Sequence, residues 1–182
     1  EESLEIANTY IQARGIPEGN ICRVSTSTAL TVDAATYQNE IEAPVMQCIA
    51  DSPNRTRIDY IVLTRGLPIR ALFPDASAPP AQPVSLTALL QVMDTPLRGK
   101  DQEYGPPYGF QFHPNPYRDR DEYFSHSKTF GGYQLYIGTM LSGYWSEDGN
   151  RLVERSVASD LNPPSSAPGA VFYLEDGSGA AN

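Results

Sequence analysis

Lysine is almost missing from this chain: only Lys100 and Lys128 occur in 182 residues, so arginine carries nearly all the positive charge. The 13 basic residues are outnumbered by 22 acidic ones, for a net charge of -9 and a pI near 4.6. That balance repels phosphate backbones and anionic lipid, which argues against a nucleic-acid or anionic-membrane partner. No apolar run approaches the ~20 residues of a membrane helix, so no insertion of this segment into a bilayer is expected. Neither a P-loop nor a dinucleotide fingerprint occurs, and Gly131-Gly132 precedes an expected strand rather than a helix. The Gly-x-Ser-x-Gly elbow is also missing. No cofactor is expected. Histidine is confined to His113 and His126, and cysteine to Cys22 and Cys48. The chain opens at Glu1 inside an expected helix, without an initiator Met, signal peptide or tag, and reads as a processed or truncated product of a longer precursor.

What is present starts with residues 59–67, Asp-Tyr-Ile-Val-Leu-Thr-Arg-Gly-Leu. A strand that is apolar at consecutive positions must be covered on both faces, as in a parallel sheet flanked by helices. Polar side chains and a glycine at its carboxyl end fall where open α/β sheets place their binding crevices.

Other elements follow from caps and periodicity. Ser3 caps a helix over residues 4–14, which Gly15 and Pro17 end. Residues 21–25 read as a short strand. Asp33 caps a second helix reaching about residue 50, with Tyr37, Ile41, Val45, Cys48 and Ile49 on one stripe. Pro44 inside it should kink or split it. A strand over 58–63 follows, then a proline- and alanine-rich exposed loop at 71–83. Ser85 caps a helix carrying Leu86, Leu89, Leu90 and Met93. A strand at 132–141, a helix opened by Ser146 with Glu147 and Asp148 in its first turn, and a final strand at 169–174 complete the series.

The order α-β-α-β-α-β-α-β predicts a single α/β domain over residues 1–182, a doubly wound, mainly parallel sheet flanked by helices. Such a fold normally opens with a strand, and none precedes the first helix. The expectation is that the first strand is lacking here and is supplied by upstream residues or by another chain.

Several blocks resemble a known family. Ser3-Leu4-Glu5-Ile6-Ala7-Asn8, Arg14-Gly15-Ile16-Pro17 and Asn20-Ile21 are similar to the opening of an uncharacterised bacterial family. Its members occur in genomes that encode the exosortase/PEP-CTERM protein-sorting system. The run from Tyr60 to Arg70 is similar to its best-defined block, as are the helix start at Ser85, Asn115-Pro116-Tyr117, Ser125-His126, and Gly132-Tyr133 leading to Thr139-Met140-Leu141-Ser142-Gly143. The resemblance implies a secreted, periplasmic or cell-surface protein, with a strand ahead of the first helix. It implies no reaction, because the family has no established activity. Where the family has acidic residues near the third helix, this chain reads Val84-Ser85-Leu86-Thr87-Ala88.

Cys22 and Cys48 form a candidate disulfide, because the second helix returns antiparallel towards the start of the preceding strand. In an oxidising compartment the bond closes a loop of about 26 residues and contributes on the order of 3 kcal/mol; the alternative is two buried thiols. Thr64, Arg65 and Arg70 flank the carboxyl end of the buried strand. Arg65 either forks onto a carboxylate or phosphate ligand or pins the long loop to the sheet.

Residues 95–131 lack periodicity and hold eight aromatics, Tyr117 among them. These rings either form a platform for a sugar or a peptide or pack the loop down. His113, Asp119, Glu122 and His126 are weak metal candidates, with Glu122 and His126 sharing a face if the stretch is helical. A solvated charged turn is the other reading. The candidate ligand site therefore comprises Thr64, Arg65, Arg70, Tyr117 and His126, and no catalytic residue is assigned.

The expected function is non-catalytic binding or assembly outside the cytoplasm, with a protein or carbohydrate partner. One alternative is a hydrolase, or an inactive relative of caspase-like cysteine peptidases. Those enzymes need a His-Gly after one strand and a Cys after the next. Here the two positions read Arg65-Gly66 and Met140-Leu141-Ser142-Gly143. A second alternative is a metal-dependent hydrolase using His126, His113 and Asp119.

Overall fold

The structure, a computed structural model, describes residues 2–73, 82–94, 124–126, 135–143 and 145–161. Most of the 95–131 segment and the expected 169–174 strand lie outside these residues. Among the described residues the chain is an α/β arrangement with two sheets.

Helix α1 (Glu2–Arg14) ends as its sequence dictates. Gly15 takes a left-handed φ of 61°, and the Ile16 N–H reaches the Ile11 carbonyl at 3.0 Å, closing a Schellman turn. A Cβ at Gly15 would meet nothing within 4 Å. Gly15→Ala therefore isolates the backbone strain and should lower unfolding stability by about 1 kcal/mol in a denaturant titration.

Residues 21–28 are irregular, and the first strand is instead β1 (Thr31–Asp33). Its last residue caps helix α2, which spans residues 34–51. The Asp33 carboxylate accepts the Thr36 N–H at 2.7 Å, and this bond holds its pKa below the ordinary value of 3.8. A lowered carboxylate pKa stabilises the fold above the unfolded value and stops doing so as pH falls through the folded one. Asp33→Ala should thus lower the melting temperature at neutral pH, and the deficit should close as the parent protein is acidified past that range.

Pro44 does not end the helical run, but it stands in the first turn of a separate α-helical stretch that begins at Ala43, so the run is divided there as expected. Lacking an N–H and crowding the carbonyl one turn back, it would break a regular ladder. The helix instead widens into a π-helical stretch at Tyr37–Glu42, where the Ala43 N–H reaches back to the Gln38 carbonyl, and continues over Ala43–Asp51. The wide stretch buries Tyr37, Ile41 and Glu42, with the Tyr37 hydroxyl donating to Glu42 Oε1 at 2.6 Å.

Strand β2 (Tyr60–Thr64) pairs in parallel with β5 (Ile137–Leu141), Tyr60 opposite Ile137 and Thr64 opposite Leu141. Strand β3 (Arg70–Phe73) pairs in parallel with β1 and antiparallel with β4 (Gln82–Ser85). The described strands thus divide into a mixed three-stranded sheet and a parallel pair. The expected loop at 71–83 accordingly has strands at both its ends. Pro83 lies in β4, at the sheet's border, where a missing N–H is tolerated.

Helix α3 (Leu86–Gln91) follows β4, and α4 (Ser146–Leu161) follows β5. Trp145 rather than Ser146 sits at the cap of α4: its N–H donates to Asp148 Oδ2 at 3.0 Å. Helices cover both faces of the β2–β5 pair. Ile61 and Leu63 join the larger core, with Tyr37 and Ile41 from α2 and Leu86, Leu89 and Leu90 from α3. Val62 faces the other way, against a smaller cluster of Ile6 from α1, Leu141 and Val153 from α4. Helices α1 and α4 meet at Gly149, where a Cβ would come within 2.7 Å of Ile6 Cδ1. The Arg14–Asp160 ion pair and the bond from Asn150 to Glu5 Oε1 at 3.0 Å tie them further.

Candidate functional site

The predicted site residues fall at two opposite ends of β2. At the carboxyl end, Thr64 and Arg65 are held by the protein itself. Thr64 Oγ1 shares a hydrogen bond with Ser3 Oγ at 2.8 Å, so Ser3 ties α1 to the strand rather than capping its own helix. Arg65 Nη1 donates to the Gly143 carbonyl at 3.3 Å, joining the ends of β2 and β5. Gly66, at φ 101°, lets the chain turn away beside Ser3. Arg70 begins β3, where its Nε donates to Thr31 Oγ1 at 2.8 Å across the β1–β3 ladder. This end looks built to join strands and a helix.

The amino end is different. His126 is 5% exposed. Its backbone N–H donates to Asp59 Oδ1 at 2.7 Å, and its ring stacks on Tyr136, with centroids 3.7 Å apart and planes 9° from parallel. Nδ1 lies 3.1 Å from the Leu135 carbonyl, and Nε2 lies 3.3 Å from Asp94 Oδ2. Both ring nitrogens thus face oxygen atoms. The Tyr136 hydroxyl also donates to Asp94 Oδ2, at 3.4 Å. Burial, then the Asp94 charge and this bond, push the Tyr136 phenol well above its ordinary value of 10.

A cavity of about 380 Å³ opens beside this cluster. Met46, Ile49 and Ala50 of α2 and Met93 form its apolar wall; Arg55, Thr56 and Asp94 contribute its polar groups, next to the stacked rings. The Arg55 side chain has no partner among the described residues. Since Asp59 precedes β2 and Arg65 follows it, the two ends lie about 20 Å apart. His126 is therefore not gathered with Thr64 and Arg65. Its ring lies between the Leu135 carbonyl, Asp94 and the Tyr136 ring, at the cavity's edge.

Cys22 and Cys48 are disulfide-bonded, with Cα atoms 5.7 Å apart. No cysteine is free for nucleophilic work. Tyr117, His113, Asp119 and Glu122 lie outside the described residues. Among the described residues, no group of three or more His, Cys, Asp or Glu converges as a metal site needs. No helix among them is long and apolar enough to cross a membrane.

Sequence reasoning did not find Asp59, Asp94 or Tyr136 as a set. Asp94 and Tyr136 are 32 and 10 residues from His126, and no motif spacing links them. Comparison with protein-family profiles finds no match, and searches against curated proteins and solved structures likewise return none.

Proposed function

We propose that the chain is an extracytoplasmic, non-catalytic binding or assembly protein on a doubly wound α/β plan, in which the open edge of β2 takes up a further strand. The single observation behind this reading is the state of β2. At the two ends of its ladder with β5, the Ile137 N–H bonds the Asp59 carbonyl at 2.9 Å and the Arg65 N–H bonds the Leu141 carbonyl at 3.0 Å. In a parallel ladder this parity aims Ile61, Leu63 and Arg65 at β5 and turns the backbone groups of Tyr60, Val62 and Thr64 outward. No described residue bonds those outward groups. A strand covered on both faces and, among the described residues, unpaired along one border is a template for strand addition.

The strand comes from upstream residues or from another chain, as the order of elements anticipates. The Cys22–Cys48 disulfide fits an oxidising compartment, and the likeness to the exosortase-associated family fits export. At the carboxyl ends of β2 and β5, where a crevice was expected, Arg65 donates to the Gly143 carbonyl, and neither cysteine is free to act as a nucleophile.

The test has two arms. A panel of ester, peptide and phosphoester substrates should show no turnover; turnover abolished by Arg65→Ala would overturn the non-catalytic reading. Tyr60→Pro removes an outward N–H together with a side chain that is mostly exposed, Tyr60 being 61% exposed. It should leave the fold intact yet prevent a longer precursor, or a strand-donating partner, from protecting the β2 edge against amide exchange. Equal protection in the proline variant would contradict strand addition.

A further inference from the structure

We infer that the cavity at the amino end of β2 and β5 is a binding site for a small zwitterion, specifically an α-amino acid with an apolar side chain. The inference is independent of the strand-accepting edge and rests on a different set of residues. Two opposite charges line this space, and each has capacity to spare. Asp94 is half exposed, and its Oδ2 takes both the His126 and the Tyr136 bonds, which leaves Oδ1 without a bond from any described residue. The buried His126 and Tyr136 hold that carboxylate in place, so it meets a ligand at little entropic cost. Arg55 follows α2 on a short 3-10 turn and lines the same cavity, its guanidinium bonded by no described residue.

A ligand carrying only a carboxylate would gain Arg55 and meet repulsion from Asp94. One carrying only an ammonium would suffer the reverse. A molecule bearing both satisfies both charge-assisted bonds. The remaining wall, Met46, Ile49 and Met93, is flexible and apolar, suited to an aliphatic or thioether side chain. A sugar is a poorer fit, because the one aromatic face identified there, on Tyr136, already carries the His126 ring. The volume, about 380 Å³, is at the small end of ligand pockets, as a single amino acid requires.

Calorimetric titration of the whole 182-residue chain with L-leucine and L-methionine tests this. Both should bind. 3-Methylbutylamine, which lacks the carboxylate, and 4-methylpentanoate, which lacks the ammonium, should each bind at least about tenfold more weakly. Arg55→Met should weaken leucine by a similar factor while leaving 3-methylbutylamine no worse and the melting temperature unmoved, since no described residue bonds the Arg55 side chain. Asp94→Asn should weaken leucine and leave 4-methylpentanoate no worse. If that variant unfolds, leucine-induced shifts of the Met46 and Met93 methyl resonances in the parent supply the second readout. Absence of leucine binding, binding of 4-methylpentanoate as tight as leucine, or an unaltered Arg55→Met affinity would each overturn the inference.

Discussion

Reduction of the Cys22–Cys48 disulfide should lower unfolding stability by about 3.5 kcal/mol, the chain-entropy value for a loop of this length. The bond spans a sequence separation of 26. It ties the irregular segment after α1 to the last turns of α2. Hydrogen bonds from Ser52 and Asn54 to Asn20 Oδ1, at 2.9 and 3.2 Å, are the nearest reinforcement. The measurement is a pair of urea titrations, oxidised and reduced, with intact mass after alkylation confirming that both thiols were closed before treatment. The Cys22→Ala, Cys48→Ala double variant should match the reduced protein. A difference below about 1 kcal/mol would mean that the unfolded chain gains little freedom when the bond opens.

Replacing Tyr37 by alanine should have the largest effect of any single side chain, about 4 kcal/mol, the range for emptying a large aromatic site in a core. Tyr37 is fully buried, meets Phe73 edge to face at 6.0 Å, and stands in the π-helical stretch where α2 faces the larger core. Its hydroxyl donates to the buried Glu42. Tyr37→Phe separates the two contributions: the ring stays, one donor to a buried carboxylate is lost, and the expected loss falls to about 2 kcal/mol. Denaturant midpoints of both variants check the ranking. A Tyr37→Phe loss as large as that of Tyr37→Ala would mean that the hydroxyl, and not the ring, carries the site.

Much of the fold was legible because local chemistry and tertiary role agree. The consecutive apolar residues of β2 do face two cores, Ile61 and Leu63 one way and Val62 the other. Gly15 occupies the left-handed position its sequence context demands, and Asp33 caps the helix it precedes. Legibility fails where a tertiary partner decides. Ser3 has the chemistry of a cap but meets Thr64, 61 residues away. The β3–β4 pairing was hidden by prolines, although the burial of Ala71 and Phe73 against the exposure of Arg70 and Leu72 has the period of a strand. Pro44 forewarned of a division in α2, which takes the form of a π-helical stretch giving way to an α-helical one at Ala43.

The candidate site was less legible than the fold. Arg65 was singled out by its place at a strand end, and a place does not say whether a side chain faces a ligand or a neighbouring carbonyl. His126 was singled out for its rarity, while the groups that define its role, Asp59, Asp94, Leu135 and Tyr136, come from separate elements and share no spacing.

The central claim is that β2 is bonded to β5 along one border and, among the described residues, meets no strand along the other. Residue-resolved amide hydrogen exchange tests it directly. In the 182-residue chain the amides of Ile61, Leu63 and Arg65 should be protected by β5, while those of Tyr60, Val62 and Thr64 exchange faster. Uniform protection of all six amides would contradict the account.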